Sequence, residues 1–192
     1  ASYVFHPLNA YEEDGRIVVD VARYGRFDFM SPGRERDPKW QGDASAHLHR
    51  WTIDLTGGGV GSTPLDDVSC EFPRADERRL GRKHRYGYAA VEPAPPSSMP
   101  GWRAIRRYDL EHGTFETRHF GVASGCGEPL FIPRTADSAE DDGWVIVLVY
   151  DGTRDASDLH VLNAGDIAGE PVATVRLPHR VPYGFHGNWV PA

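Results

Sequence analysis

The chain has 192 residues, 40% of them hydrophobic and 26% charged, with 28 acidic against 21 basic side chains. That composition describes a globular chain rather than a disordered one, and a formal charge of −7 without a basic stripe argues against a nucleic-acid partner. No apolar run approaches the roughly 18 residues of a membrane-spanning helix, and Ala1 to Tyr11 lacks the basic start and apolar middle of a secretory leader.

Taken in order, the segments alternate with period two, the mark of half-buried strands. Ile17, Val19 and Val21 share one face of Arg16 to Arg23. From His47 to Leu55, the residues His47, His49, Trp51, Ile53 and Leu55 share a face, with Leu48, Arg50, Thr52 and Asp54 opposite. Ala104 to Leu110 and Phe115 to Phe120 flank Glu111-His112-Gly113-Thr114, a hairpin turn by composition. Trp144 to Tyr150 is apolar throughout and reads as a central strand buried on both faces. Asp158 to Asn163 and Val172 to Leu177 complete an antiparallel set with it. Helical signals are confined to Asp76–Leu80 and Ala164–Ala168, a turn or two each. Ser31 to Ala46, Glu92 to Gly101 and Pro133 to Gly143 read as loops. The fold class is therefore all-β with few short helices, in sheets of about four strands; a sandwich, a barrel and a propeller all fit that pattern.

Familiar catalytic motifs are absent. There is no Gly-x-Ser-x-Gly elbow, CxxC pair, HExxH or Walker loop, and Gly57 to Ser62 lacks the Gly-Lys-Ser/Thr ending of a phosphate loop. His47 and His49 point the same way on a strand, but with no third ligand nearby they read as one half-buried strand face. His84, His112, His119, His160 and His179 read as surface or hydrogen-bonded histidines. Cys70 and Cys126 read as buried free thiols of a reducing, cytoplasmic setting rather than a disulfide. His6 and His186 have richer surroundings, each with aromatic neighbours.

Six segments, in order, carry a resemblance. They are Phe-His-Pro-Leu-Asn-Ala-Tyr-Glu around His6, Cys-Glu-Phe-Pro-Arg around Glu71, Arg85-Tyr86-Gly87-Tyr88, Gly-Glu-Pro-Leu-Phe-Ile-Pro-Arg around Glu128, Glu140 to Trp144, and Pro-Tyr-Gly-Phe-His-Gly-Asn-Trp around His186. Together they make the chain resemble the carotenoid cleavage oxygenases, which include apocarotenoid, stilbene and lignostilbene cleaving enzymes.

The resemblance implies a seven-bladed β-propeller whose axis carries a non-haem Fe(II) held by four histidines, with glutamates orienting them. His6 and His186 match two of the ligands. Glu71 and Glu128 match two of the orienting carboxylates. The remaining ligands have no counterpart, so residues 1–192 are expected to form the C-terminal part of one such domain, about the last three blades. A missing N-terminal portion would be needed to complete the site, and the chain by itself is expected to be inactive. The implied reaction is cleavage of a carbon–carbon double bond by dioxygen, with an apolar polyene or stilbene-like molecule as substrate. Phe72, Phe185 and Trp189 are candidate pocket walls. Two rival readings stand beside this one: a catalytically silent β module acting in binding, and an unrelated sugar-binding propeller or sandwich.

Overall fold

The computed structural model describes residues 2–25, 45–92 and 102–190. The loop readings at Ser31–Ala46 and Glu92–Gly101 fall almost wholly outside them. Among the described residues, regular structure is β-strand apart from one 3-10 turn at Glu77–Arg79, capped where Asp76 accepts the Arg78 backbone N–H at 3.0 Å. That turn lies within the expected Asp76–Leu80 segment. The other, Ala164–Ala168, is a chain of turns and not a helix.

Seven strands form one antiparallel meander in chain order: β1 (Tyr3–Glu13), β2 (Arg16–Tyr24), β3 (Ala46–Asp54), β4 (Val60–Ala75), β5 (Tyr86–Glu92), β6 (Ala104–Asp109) and β7 (Thr114–His119). The other five make a second sheet, in which β8 (Ser124–Cys126) and β9 (Leu130–Pro133) both pair with β10 (Gly143–Asp151), followed outward by β11 (Ala156–Asn163) and β12 (Ala173–Arg176). The expected sheets of about four strands are thus fused. The cause is β4, whose 16 residues serve two neighbours: Val60 to Pro64 pair with β3, and Ser69 to Ala75 pair with β5.

The core has two compartments separated by β5. Ala89 and Val91 of β5 join Leu8, Ala22, Leu48, Cys70 and Tyr108 in one. Tyr88 and Ala90 face the other, with Ile105, Phe131, Val145, Val147 and Leu162. The strand buried on both faces is therefore β5, from Tyr86 to Val91. The sequence reading placed that role at Trp144 to Tyr150. In the structure only Val145, Val147 and Val149 are buried there, and Leu148 on the opposite face is 40% exposed. Small residues let β5 pass between two packed layers without long apolar side chains. At Gly87 a Cβ would lie 2.9 Å from Leu8 Cδ2, closer than such contacts allow, so the missing side chain makes room for Leu8 of β1 to pack against β5.

Charges are also buried in this core. Asp20 on β2 lies directly across from Arg50 on β3. Arg50 donates to it twice, at 2.7 and 2.8 Å, the two-pronged geometry that offsets removal of a carboxylate from water.

Candidate metal centre

Two proline-bearing strands create the site. Proline has no N–H to give to a ladder, and in β1 the register with β2 breaks on both sides of Pro7. In β4 the pairing with β5 breaks between Glu71 and Arg74, across Phe72-Pro73. Such bulges re-aim side chains. Phe72 takes a left-handed backbone angle, φ 52°, rare for a bulky residue. Its N–H donates to the Glu71 carboxylate at 3.0 Å.

The result is a contact between the two ends of the chain. His6 Nδ1 donates to Glu71 Oε2 at 2.6 Å, and His186 Nδ1 donates to Glu128 Oε1 at 3.1 Å. The two Nε2 atoms lie 3.2 Å apart. An ionised carboxylate only accepts, so each neutral imidazole carries its proton on Nδ1 and turns a lone pair toward the other ring. Two lone pairs at that separation call for something positive between them. Two imidazole nitrogens bound side by side to one ion at about 2.1 Å would stand about 3 Å apart. The donor set thus suits a transition metal such as iron, and the carboxylates fix tautomer and ring direction. Among the described residues no third His, Cys, Asp or Glu joins them.

Both carboxylates are buried and otherwise engaged. Glu71 also accepts from Tyr24, whose phenol is pushed up from its usual pKa by burial first and by this hydrogen bond second. Glu128 Oε2 accepts the Gly187 N–H at 3.0 Å, and its Oε1 lies 3.1 Å from Arg74 Nη1. Arg74 and Tyr24 were not singled out from the sequence. Arg74 was legible only as part of the Cys-Glu-Phe-Pro-Arg segment, and Tyr24 carried no signal.

An apolar groove of about 440 Å³ opens beside the histidines. Phe72 and Phe185 line it together with Leu130, Ile146, Leu148, Leu159 and Tyr183. The Phe72 ring lies 5.0 Å from that of His6 and 5.9 Å from that of His186. Trp189 does not line this groove and is 54% exposed, although its neighbour Asn188 does line it. The Arg180 guanidinium packs over Tyr150 and Tyr183 of the groove wall, 4.9 and 5.2 Å from the ring centres.

The other histidines are placed elsewhere. His49 hydrogen-bonds Ser62 Oγ at 2.7 Å, as befits a strand-face residue. His84 is buried against Asn9, 3.1 Å away. His160 departs from expectation: its Nδ1 is buried without a partner, and its ring packs edge-on to Phe120. Cys70 and Cys126 are free and buried, and burial raises both thiols. No helix among the described residues is long and apolar enough to cross a membrane.

The family model described as retinal pigment epithelial membrane protein, RPE65, matches residues 1–191. The chain belongs to the RPE65/carotenoid cleavage oxygenase family. It is 36% identical to apocarotenoid-15,15'-oxygenase of Synechocystis over 98% of its own length and 39% of that relative's. It is 32% identical to isoeugenol monooxygenase of Pseudomonas nitroreducens, over 100% of this chain and 42% of that enzyme. The crystal structure of cobalt-substituted Synechocystis ACO superposes with a TM-score of 0.88 at 34% identity, covering 99% of this chain and 40% of that one. The chain therefore spans about 40% of the length of these family members. Its antiparallel sheets match part of a propeller.

Proposed function

We propose that this carotenoid oxygenase family member works in a non-haem Fe(II) oxygenase that cleaves a conjugated carbon–carbon double bond with dioxygen. His6 and His186 would hold the iron together with ligands from outside residues 1–192, and Glu71 and Glu128 would orient them. The observation that carries this reading is the 3.2 Å approach of two carboxylate-anchored imidazoles beside an apolar groove lined by His186 and Phe72. The iron would supply the chemistry that joins dioxygen to the alkene.

The residues of the chain do the rest. Glu71 and Glu128 keep the protons on Nδ1 and so keep both Nε2 lone pairs free. The groove takes the flat apolar body of the substrate and sheds its water. Phe72 stands between groove and histidines and sets how closely the double bond approaches. The electron balance needs no further cofactor: the alkene carbons are oxidised, dioxygen is reduced, and the broken C=C becomes two C=O groups. Carotenoid-, apocarotenoid- and stilbene-like molecules share the conjugated alkene this requires. With two ligands among the described residues, residues 1–192 alone should lose iron to a chelator.

The test is turnover of an apocarotenoid and of isoeugenol by the full-length protein under labelled dioxygen, with rapid trapping of the carbonyl products. Label in both products is expected. Label in one product overturns the dioxygenase assignment, and turnover that survives iron removal overturns the metal reading.

A further inference from the structure

The two histidines are anchored differently, and the difference isolates one residue. His6 sits in strand β1, and its carboxylate, Glu71, sits on β4 of the same sheet. His186 sits in a segment that is exposed at every position from Pro182 to Val190 and that belongs to no strand. Among the described residues, and apart from the approach of its ring to His6, its backbone and ring touch the body of the protein through three polar contacts. Two of them end on Glu128, at Nδ1 of His186 and the N–H of Gly187. The third is the Gly187 carbonyl, which accepts from Arg74 Nη1 at 3.4 Å. The same Nη1 lies 3.1 Å from Glu128 Oε1, and Nη2 donates to Glu77 Oε1 at 2.5 Å. Arg74 therefore meets both the anchoring carboxylate and the anchored segment.

We propose that Arg74 is the positioning residue for His186: its guanidinium fixes Glu128 and the Gly187 carbonyl together and so holds the His186 ring in its metal-facing orientation. This rests on the reading of His6 and His186 as metal ligands. Arg74 follows Glu71 by three residues, across the same bulge. One irregularity of β4 thus serves both histidines, Glu71 reaching His6 and Arg74 reaching the shell of His186. The chemistry favours arginine over lysine. The fork lets Nη1 meet Glu128 and the Gly187 carbonyl while Nη2 is held by Glu77; a lysine's single nitrogen can serve the first two but lacks that second, separately held arm.

The experiment compares Arg74→Gln, Arg74→Lys and His186→Ala in the full-length protein, using Co(II) as probe. The readouts are Co(II) affinity by chelator competition, the cobalt visible spectrum, and the nitrogen-15 signal of the metal-free His186 ring. Arg74→Gln should keep the β-type circular dichroism. It should weaken Co(II) binding about 10- to 100-fold, as loss of an outer hydrogen-bond partner does, alter the cobalt spectrum and broaden or shift the Nδ1–H signal of His186. Arg74→Lys should recover part of that loss. Unchanged affinity, spectrum and His186 signal in Arg74→Gln, with binding abolished in His186→Ala, overturns the role of Arg74 and leaves the ligand reading standing. Undiminished binding in His186→Ala overturns the ligand reading. In that event the His186 nitrogen signal still decides the positioning role by itself.

Discussion

The two halves of the histidine pair are built by different means. His6 belongs to a hydrogen-bonded strand and its side chain is 20% exposed; His186 lies beyond the last strand and is 54% exposed. Their carboxylates are almost equally buried, yet the hydrogen bond is 2.6 Å in the first half and 3.1 Å in the second. A strand fixes a ligand through ladder bonds made by its neighbours, so His6 is positioned before anything binds. His186 depends on side-chain contacts to one short segment. Stability and metal binding should therefore be coupled at His6 and separable at His186.

The largest effect should come from removing the rings. His6→Ala and His186→Ala should each reduce activity of the full-length protein to background. Because Arg74 still reaches Glu128 Oε1 once His186 is gone, His6→Ala should also lower the denaturation midpoint more than His186→Ala. It leaves the Glu71 oxygen without the ring N–H it accepts, a loss of about 1–3 kcal/mol for a buried group. An equal or larger drop for His186→Ala would break the comparison.

A smaller effect is expected from the carboxylates. Glu71→Gln and Glu128→Gln keep shape and remove charge, and each should cost about 10- to 100-fold in metal affinity. The loss should be greater at Glu71, where the hydrogen bond is shorter. A greater loss at Glu128 would reverse the ranking of the halves.

The smallest effect concerns acid, and it should fall on the sheet behind His6. Asn9 on β1 holds the turn at residues 79–84 by donating to the Arg79 and Arg82 carbonyls, at 3.1 and 2.9 Å, and it touches His84. Burial lowers the pKa of His84, opposed by the Asp20 carboxylate and aided by Arg50. The folded state thus keeps His84 neutral while the unfolded chain takes up a proton below about pH 6.5. Stability from this group is present above that pH and falls as pH drops below it, down to the folded pKa. His49 and His160 shift the same way, also through burial. Denaturant midpoints should fall between pH 7.5 and 5.5, and His84→Gln should flatten the slope. An unchanged slope would free His84 of this role.

Local pattern carried much of the architecture. Period-two alternation marked β2, β3, β6, β7 and β11, because a strand with one wet face must alternate. It failed at β5, where both faces are buried and Tyr86-Gly87-Tyr88-Ala89-Ala90 shows no contrast to read. It also overstated β10, whose Ile146, Leu148 and Tyr150 line a groove rather than a core. An apolar side chain reads the same in either place.

For the site, the sequence alone determined the residue types and the motif order: two histidines in aromatic surroundings, two glutamates between them, and a likeness to a family that uses such sets. Only the tertiary structure decided that residues 180 positions apart meet at 3.2 Å. The motif order already suggests Glu71 for His6 and Glu128 for His186, and the structure gives those pairs their contacts; it alone put Arg74 against Glu128 and buried Asp20 against Arg50. The physical reason is that period and propensity are short-range properties of neighbouring residues. The geometry of such a histidine pair is a long-range property of sheet register, here displaced at Pro7 and Pro73 by bulges that move whole side chains to new directions.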